Sequence, residues 1–185
     1  MAKYFQVVNM EAKYNQAMRR TGLYQEIGVN TAVAAGAFVV PTGLADNTVY
    51  GSGIKDINKM TVEAPVTAAT AKGVYVTDIV KVSSGSISGN EYRIGAKTIG
   101  LIAAPGEPCA INKIELYDEF QIGADNFNAP VGLNTYATLT DGSVDLTPAV
   151  GIPATGLTLQ IMQELKITEG TDATTTAYLC MVVQL

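Results

Sequence analysis

Histidine and tryptophan are both absent from these 185 residues, and only two cysteines, Cys109 and Cys180, occur. Without histidine the commonest general base and metal ligand near neutral pH is missing, so Ser/His/Asp and Cys/His nucleophile arrangements are excluded. Carboxylates, lysines, tyrosines and two thiols are what remains. Without tryptophan the chain is poor in the aromatic platforms that accompany paired carboxylates in sugar hydrolysis. Charge is scarce too: 16% of residues are charged, where about 25% is usual. Long apolar runs are also missing. The first apolar stretch, Thr31 to Val40, follows a polar segment and falls far short of the ~20 residues that span a bilayer. Arg19-Arg20 has no apolar run after it and so does not read as a twin-arginine signal. These features predict a protein made and used without crossing a membrane by those routes.

Both cysteines have apolar neighbours, in Pro108-Cys109-Ala110-Ile111 and Leu179-Cys180-Met181. Buried free thiols are the expectation, since a disulfide would need an oxidising compartment and Cα atoms within roughly 7 Å. With 48% apolar residues, a chain of this length buries enough surface to fold as one domain without staples. So few charges leave a surface of neutral groups that repel one another weakly and are cheap to desolvate, which suits subunit contacts. Nine tyrosines supply rings that can be buried while the hydroxyl stays wet.

Charge is unevenly distributed. Lys3, Lys13, Arg19 and Arg20 against Glu11 give the first twenty residues +3, and since the whole chain carries −5, the remainder carries −8. A basic arm on an acidic body suits an acidic neighbour, whereas the body would repel nucleic-acid phosphate.

Residues 1–30 read as an arm and 31–185 as the body. In the arm, Asn9 is placed to cap a short helix with Met10, Tyr14, Ala17 and Met18 along one stripe and Gly22 as its stop. So short a helix is marginal alone. Met10, Tyr14, Met18, Arg19 and Arg20 are therefore expected to contact another chain, and deletion of residues 1–28 to leave a folded body. From Thr31 on, β-prone runs alternate with turn residues about every ten positions, the pattern of an all-β sandwich or barrel. Strands are expected near 33–40, 47–50, 59–63, 73–82, 91–94, 98–103, 111–117, 131–140, 157–167 and 174–185. Pro41-Thr42-Gly43 is among the expected turns. Asp141-Gly142, between 133–140 and 143–146, reads as a two-residue hairpin turn. The uncharged run Thr175 to Leu185 reads as a strand covered on both faces. The fold class is thus mainly β: a single β-barrel or β-sandwich domain with an extended, partly helical N-terminal arm.

Glu115, Asp118, Glu119 and Asp125 form the densest acidic cluster. Such carboxylates suit calcium or glycoside hydrolysis, but they lack the spacing and glycine of a calcium loop, and a solvated strand edge followed by a turn is expected. Gly43, Gly51 and Gly53 are turn glycines, because no Gly-Lys-Ser/Thr or Gly-x-Gly-x-x-Gly pattern accompanies them. No catalytic residue, metal ligand or cofactor is assigned, and an enzyme is not expected.

Three stretches carry a resemblance: Lys97-Thr98-Ile99-Gly100-Leu101-Ile102-Ala103-Ala104-Pro105-Gly106-Glu107, then Pro130 to Gly142, then Tyr178 to Leu185. In turn order and composition they resemble the capsid decoration, or cement, proteins of tailed bacteriophages, small β-barrel proteins whose last strand ends the chain. The resemblance implies a virion structural protein on the capsid surface, made in the host cytoplasm, with the major capsid protein and other copies of itself as partners. It implies no small-molecule substrate. Other virion parts, such as a tail tube or head fibre base, and a carbohydrate- or cell-binding β module remain open at this point.

Overall fold

The computed structural model describes residues 3–15, 18–46, 54–79, 81–82, 96–97, 101–132, 135–169 and 173–185. In chain order its strands are β1 (Phe5–Asn9), β2 (Arg19–Glu26), β3 (Val29–Asn30), β4 (Val33–Ala34), β5 (Phe38–Asp46), β6 (Lys55–Glu63), β7 (Tyr75–Asp78), β8 (Lys81–Val82), β9 (Ala96–Lys97), β10 (Ile102–Ala103), β11 (Cys109–Lys113), β12 (Glu119–Gly123), β13 (Tyr136–Leu139), β14 (Leu146–Ala149), β15 (Thr158–Glu169) and β16 (Ala173–Gln184). A single α-helical turn, α1, spans Glu11–Tyr14. The chain is mainly β, as the run-and-turn pattern predicts. The strands expected at 47–50 and 91–94 lie outside the described residues.

Two six-stranded sheets carry the structure. One has the order β1-β12-β16-β15-β13-β14 and the other β11-β7-β5-β6-β2-β3. In the second sheet β2 runs parallel to β6, and β11 pairs with β7 on one side and β2 on the other. The hydrogen bonding of β2, β6, β5, β7 and β11 therefore returns on itself.

The core lies between the sheets because alternate residues of each strand point inward. Phe120 and Ile122 of β12, with Cys180 and Val182 of β16, face Phe38, Val62, Val76 and Ile111 of the other sheet in one apolar cluster. The Phe120 ring makes tilted contacts with Phe5 at 5.6 Å and with Phe38 at 6.1 Å between centroids, joining the two sheets. Buried polar groups are placed where they close turns. Thr77 donates its hydroxyl to Ala34 O at 2.7 Å and accepts the Ala37 N–H at 2.9 Å. Asn126 accepts from Tyr4 N and donates to Ala35 O.

The expected arm does not exist as a separate, partly helical element. β1 pairs with β12 as the edge of the first sheet, and β2 sits between β6 and β11 in the second. Helical spacing lost to alternation: Gly22 and Tyr24 point into the core from a strand. Gly22 is there for want of a side chain, since a Cβ would lie 2.7 Å from Ile111 Cγ2. Met10 is buried in the chain's own core, Met18 is half-buried, and Arg19 and Arg20 are exposed on β2. The Tyr14 side chain lies outside the described residues. Lys3 pairs with Asp145, and Arg19 lies 3.7 Å from Asp78. These two arm cations thus meet carboxylates of their own chain.

Two turn expectations also change. Pro41-Thr42-Gly43 lies within β5, where the register against β6 shifts, so the proline and glycine mark a bulge instead of a reversal. Asp141-Gly142 sits in a longer loop between Leu139 and Leu146, which pair directly. The reason is tertiary: Asp141 accepts the Ala68 N–H at 2.7 Å and Gly142 N donates to Pro65 O at 2.7 Å, pinning the loop to the segment after β6.

The last strand is central in its sheet, as its composition predicts. Cys180 and Val182 face the main core, Ala177 packs under Tyr4 on the opposite face, and Leu179, Met181 and Val183 are half-buried.

Candidate functional site

A groove of about 570 Å3 lies where the segment 69–74, the end of β11, the loop 154–157 and the end of β16 meet. Small residues shape it. Ala69, Ala71, Val74, Ile114 and Leu157 give it apolar walls, and the loop 154–157 closes onto the segment 68–70 through Gly156. At φ +91° Gly156 occupies backbone space that L side chains rarely adopt, and a Cβ there would lie 3.0 Å from Ala69 Cα and 3.1 Å from Ala68 O. Gln184 Nε2 donates to Gly156 O at 3.1 Å, holding the loop against the last strand. Ile114 N donates to Val74 O at 3.0 Å and fixes the opposite wall.

Charge lies among the lining residues. Lys113 pairs with Glu115, whose hydrogen bond and charge raise the lysine pKa. Lys72 is exposed and has no ion-pair partner among the described residues. The groove resembles a binding cleft in size, since such sites run to ~300–1,000 Å3.

A second feature is conformational. The two non-glycine residues with positive φ among those described are Ile27, at 51°, and Tyr117, at 69°. A β-branched or aromatic residue costs about 1–2 kcal/mol in this region, where Asn or Gly would serve better. Both are also exposed, Ile27 at 98% and Tyr117 at 67%. Ile27-Gly28 is the two-residue turn between β2 and β3, flanked by the pair Glu26 and Val29, with both central residues at positive φ as a type I′ turn requires. Sequence reasoning missed Ile27. The signal that could have found it is Ile-Gly where Asn-Gly is the usual choice.

The acidic cluster is not brought together as a site. Glu115 is taken by Lys113, Glu119 is half-buried in β12, and Asp125 lies in the short turn Ala124–Asn126. Asp118, expected in solvent, is 4% exposed. Its carboxylate accepts the backbone N–H groups of Glu11 at 2.9 Å and Glu115 at 2.8 Å. Burial raises its pKa, against the two backbone hydrogen bonds that lower it. Among the described residues no group of three or more His, Cys, Asp or Glu is placed to hold a metal ion.

Both cysteines are free and buried, as expected. Burial pushes the Cys109 thiol up to about 11 and the Cys180 thiol up to about 12. Cys109 lines a smaller pocket of about 220 Å3 with Arg19, Asp78 and Glu107, but a thiol with so high a pKa is not a nucleophile near neutral pH. No described helix is long and apolar enough to cross a membrane, which says nothing of strands. The chain matches no family model, no curated protein and no solved structure.

Proposed function

We propose that this chain is a structural subunit of a larger assembly, and that the assembly is a tailed-phage capsid whose outer surface it decorates, bound to the major capsid protein and to copies of itself. The observation that supports the first step is the pairing of strain with exposure at Ile27 and Tyr117. Each residue destabilises the isolated fold through its backbone, and Ile27 gains nothing from burial. Strain of this kind accumulates where a contact or a function needs the side chain. Ile57, Val66 and Val150, at 80%, 77% and 86% exposure, add further apolar side chains in solvent, on a chain with few charges to oppose close approach. The second step, from assembly to phage shell, rests on the resemblance at 97–107, 130–142 and 178–185.

Fractionation tests it. A lysate of cells producing the native assembly is run on a sucrose gradient and the chain followed by antibody. The expected result is migration with particles, in fixed ratio to their major shell protein and on the side open to added protease. A chain that stays at the top of the gradient overturns the proposal.

A further inference from the structure

We infer that the β2–β3 hairpin tip of one copy docks in the groove of a second copy, with Ile27 as the knob. This rests on the assembly reading above and names one of its partners.

The two surfaces suit each other in shape and in charge. The tip presents Ile27 and Val29, both exposed, on a narrow two-residue turn that a concave site can enclose. The groove offers apolar walls of Ala, Val, Ile and Leu side chains. Beside the knob stand two carboxylates. Glu26 is exposed and accepts from Tyr24 Oη at 3.2 Å, while Glu63 accepts the Gly28 N–H at 3.4 Å. Among the groove's lining residues stands a cation, Lys72, without an ion-pair partner among the described residues. Lys113 is already balanced by Glu115, so Lys72 is the lining side chain left to meet the carboxylates of the tip. Docking would cover the most exposed large apolar side chain among those described and set Glu26 against Lys72.

Strain at Ile27 favours this reading over a bystander role. Asparagine would fit the left-handed backbone better and suit solvent better, so isoleucine serves the contact and not the fold. Hairpin and groove are different patches, so one contact leaves a free hairpin on one copy and a free groove on the other. Association then gives a ring or a reciprocal pair where the rotation closes and an open filament where it does not.

The test uses the full chain in sedimentation-velocity runs across a concentration series, with thermal unfolding measured in parallel. Wild type is expected to associate. Ile27→Asn should weaken association roughly ten- to a hundredfold, the worth of burying one large aliphatic side chain, while its melting temperature stays level or rises. Glu26→Lys and Lys72→Glu should each weaken association, and the double variant Glu26→Lys/Lys72→Glu should restore it. A wild-type chain that is monomeric throughout, or Ile27→Asn association equal to wild type, overturns the inference. So does loss in Ile27→Asn with no effect of Lys72→Glu and no rescue by the swap, because the hairpin would then dock elsewhere. The same variants run with particles on the gradient separate the two proposals. A monomeric chain that still travels with particles overturns self-docking alone, and one that does neither overturns both.

Discussion

Replacing Asp118 with asparagine changes one oxygen of a buried carboxylate into an amide and keeps its size. The two carboxylate oxygens each accept one backbone N–H, from Glu11 and from Glu115. Asp118 is also tied to β16 through its own backbone, since its carbonyl accepts the Val182 N–H at 2.9 Å. An asparagine retains one acceptor and turns an NH2 group toward the other N–H. One charge-assisted bond is lost and one donor is left facing a donor, a cost of about 1–3 kcal/mol. For a chain of this length each kcal/mol moves the melting temperature by about 2–4 °C, so the variant should melt roughly 2–12 °C below wild type. Differential scanning calorimetry at pH 7 reads this directly, with Glu119→Gln, a half-buried change in the same segment, expected to cost less than about 0.5 kcal/mol.

The pH dependence has a definite sign. Burial raises the folded pKa of Asp118 above its unfolded value, so the folded state holds this proton more tightly than the unfolded one. Stability from this group is therefore full below the ordinary aspartate pKa and falls as pH rises through the folded value. A variant as stable as wild type at pH 7 would refute the role assigned to this carboxylate.

Gly156→Ala should destabilise by about 1 kcal/mol more than Gly142→Ala, as read by chemical denaturation. Both positions have positive φ, but only at Gly156 does a Cβ meet backbone atoms, so equal costs would show that the groove wall yields freely. Deletion of residues 1–28 removes β1 and β2, one strand from each sheet. It should give an insoluble or unfolded product by solubility and circular dichroism, and a well-folded remainder would restore the idea of a separate arm. Cys109 and Cys180 should react with a thiol reagent at pH 8 at least about a hundredfold more slowly in the native protein than in denaturant. Rapid native labelling of either would contradict their burial.

Local order carried much of the fold. The alternation of β-prone runs with Gly, Pro and Asp turns was enough for a mainly β chain, and a long uncharged run at 175–185 was enough for a central strand, although the face that carries Leu179, Met181 and Val183 is only half covered. Apolar neighbours around Cys109 and Cys180 were enough for buried thiols. What the sequence could not reveal was set by pairing at a distance. Met10, Tyr14 and Met18 fit a helical stripe as well as Phe5, Val7, Gly22 and Tyr24 fit strands, and local propensity cannot choose between them. The choice falls to β12 and β11, more than eighty residues along the chain, whose free edges accept β1 and β2. Asp118 looks like any surface carboxylate in sequence and becomes a buried acceptor because folding brings Glu11 N–H to it. The groove is likewise a product of folding alone: it is made of alanines, two glycines and strand ends from four distant segments, none of which carries a motif, and it exists because Gly156 lets two backbones meet.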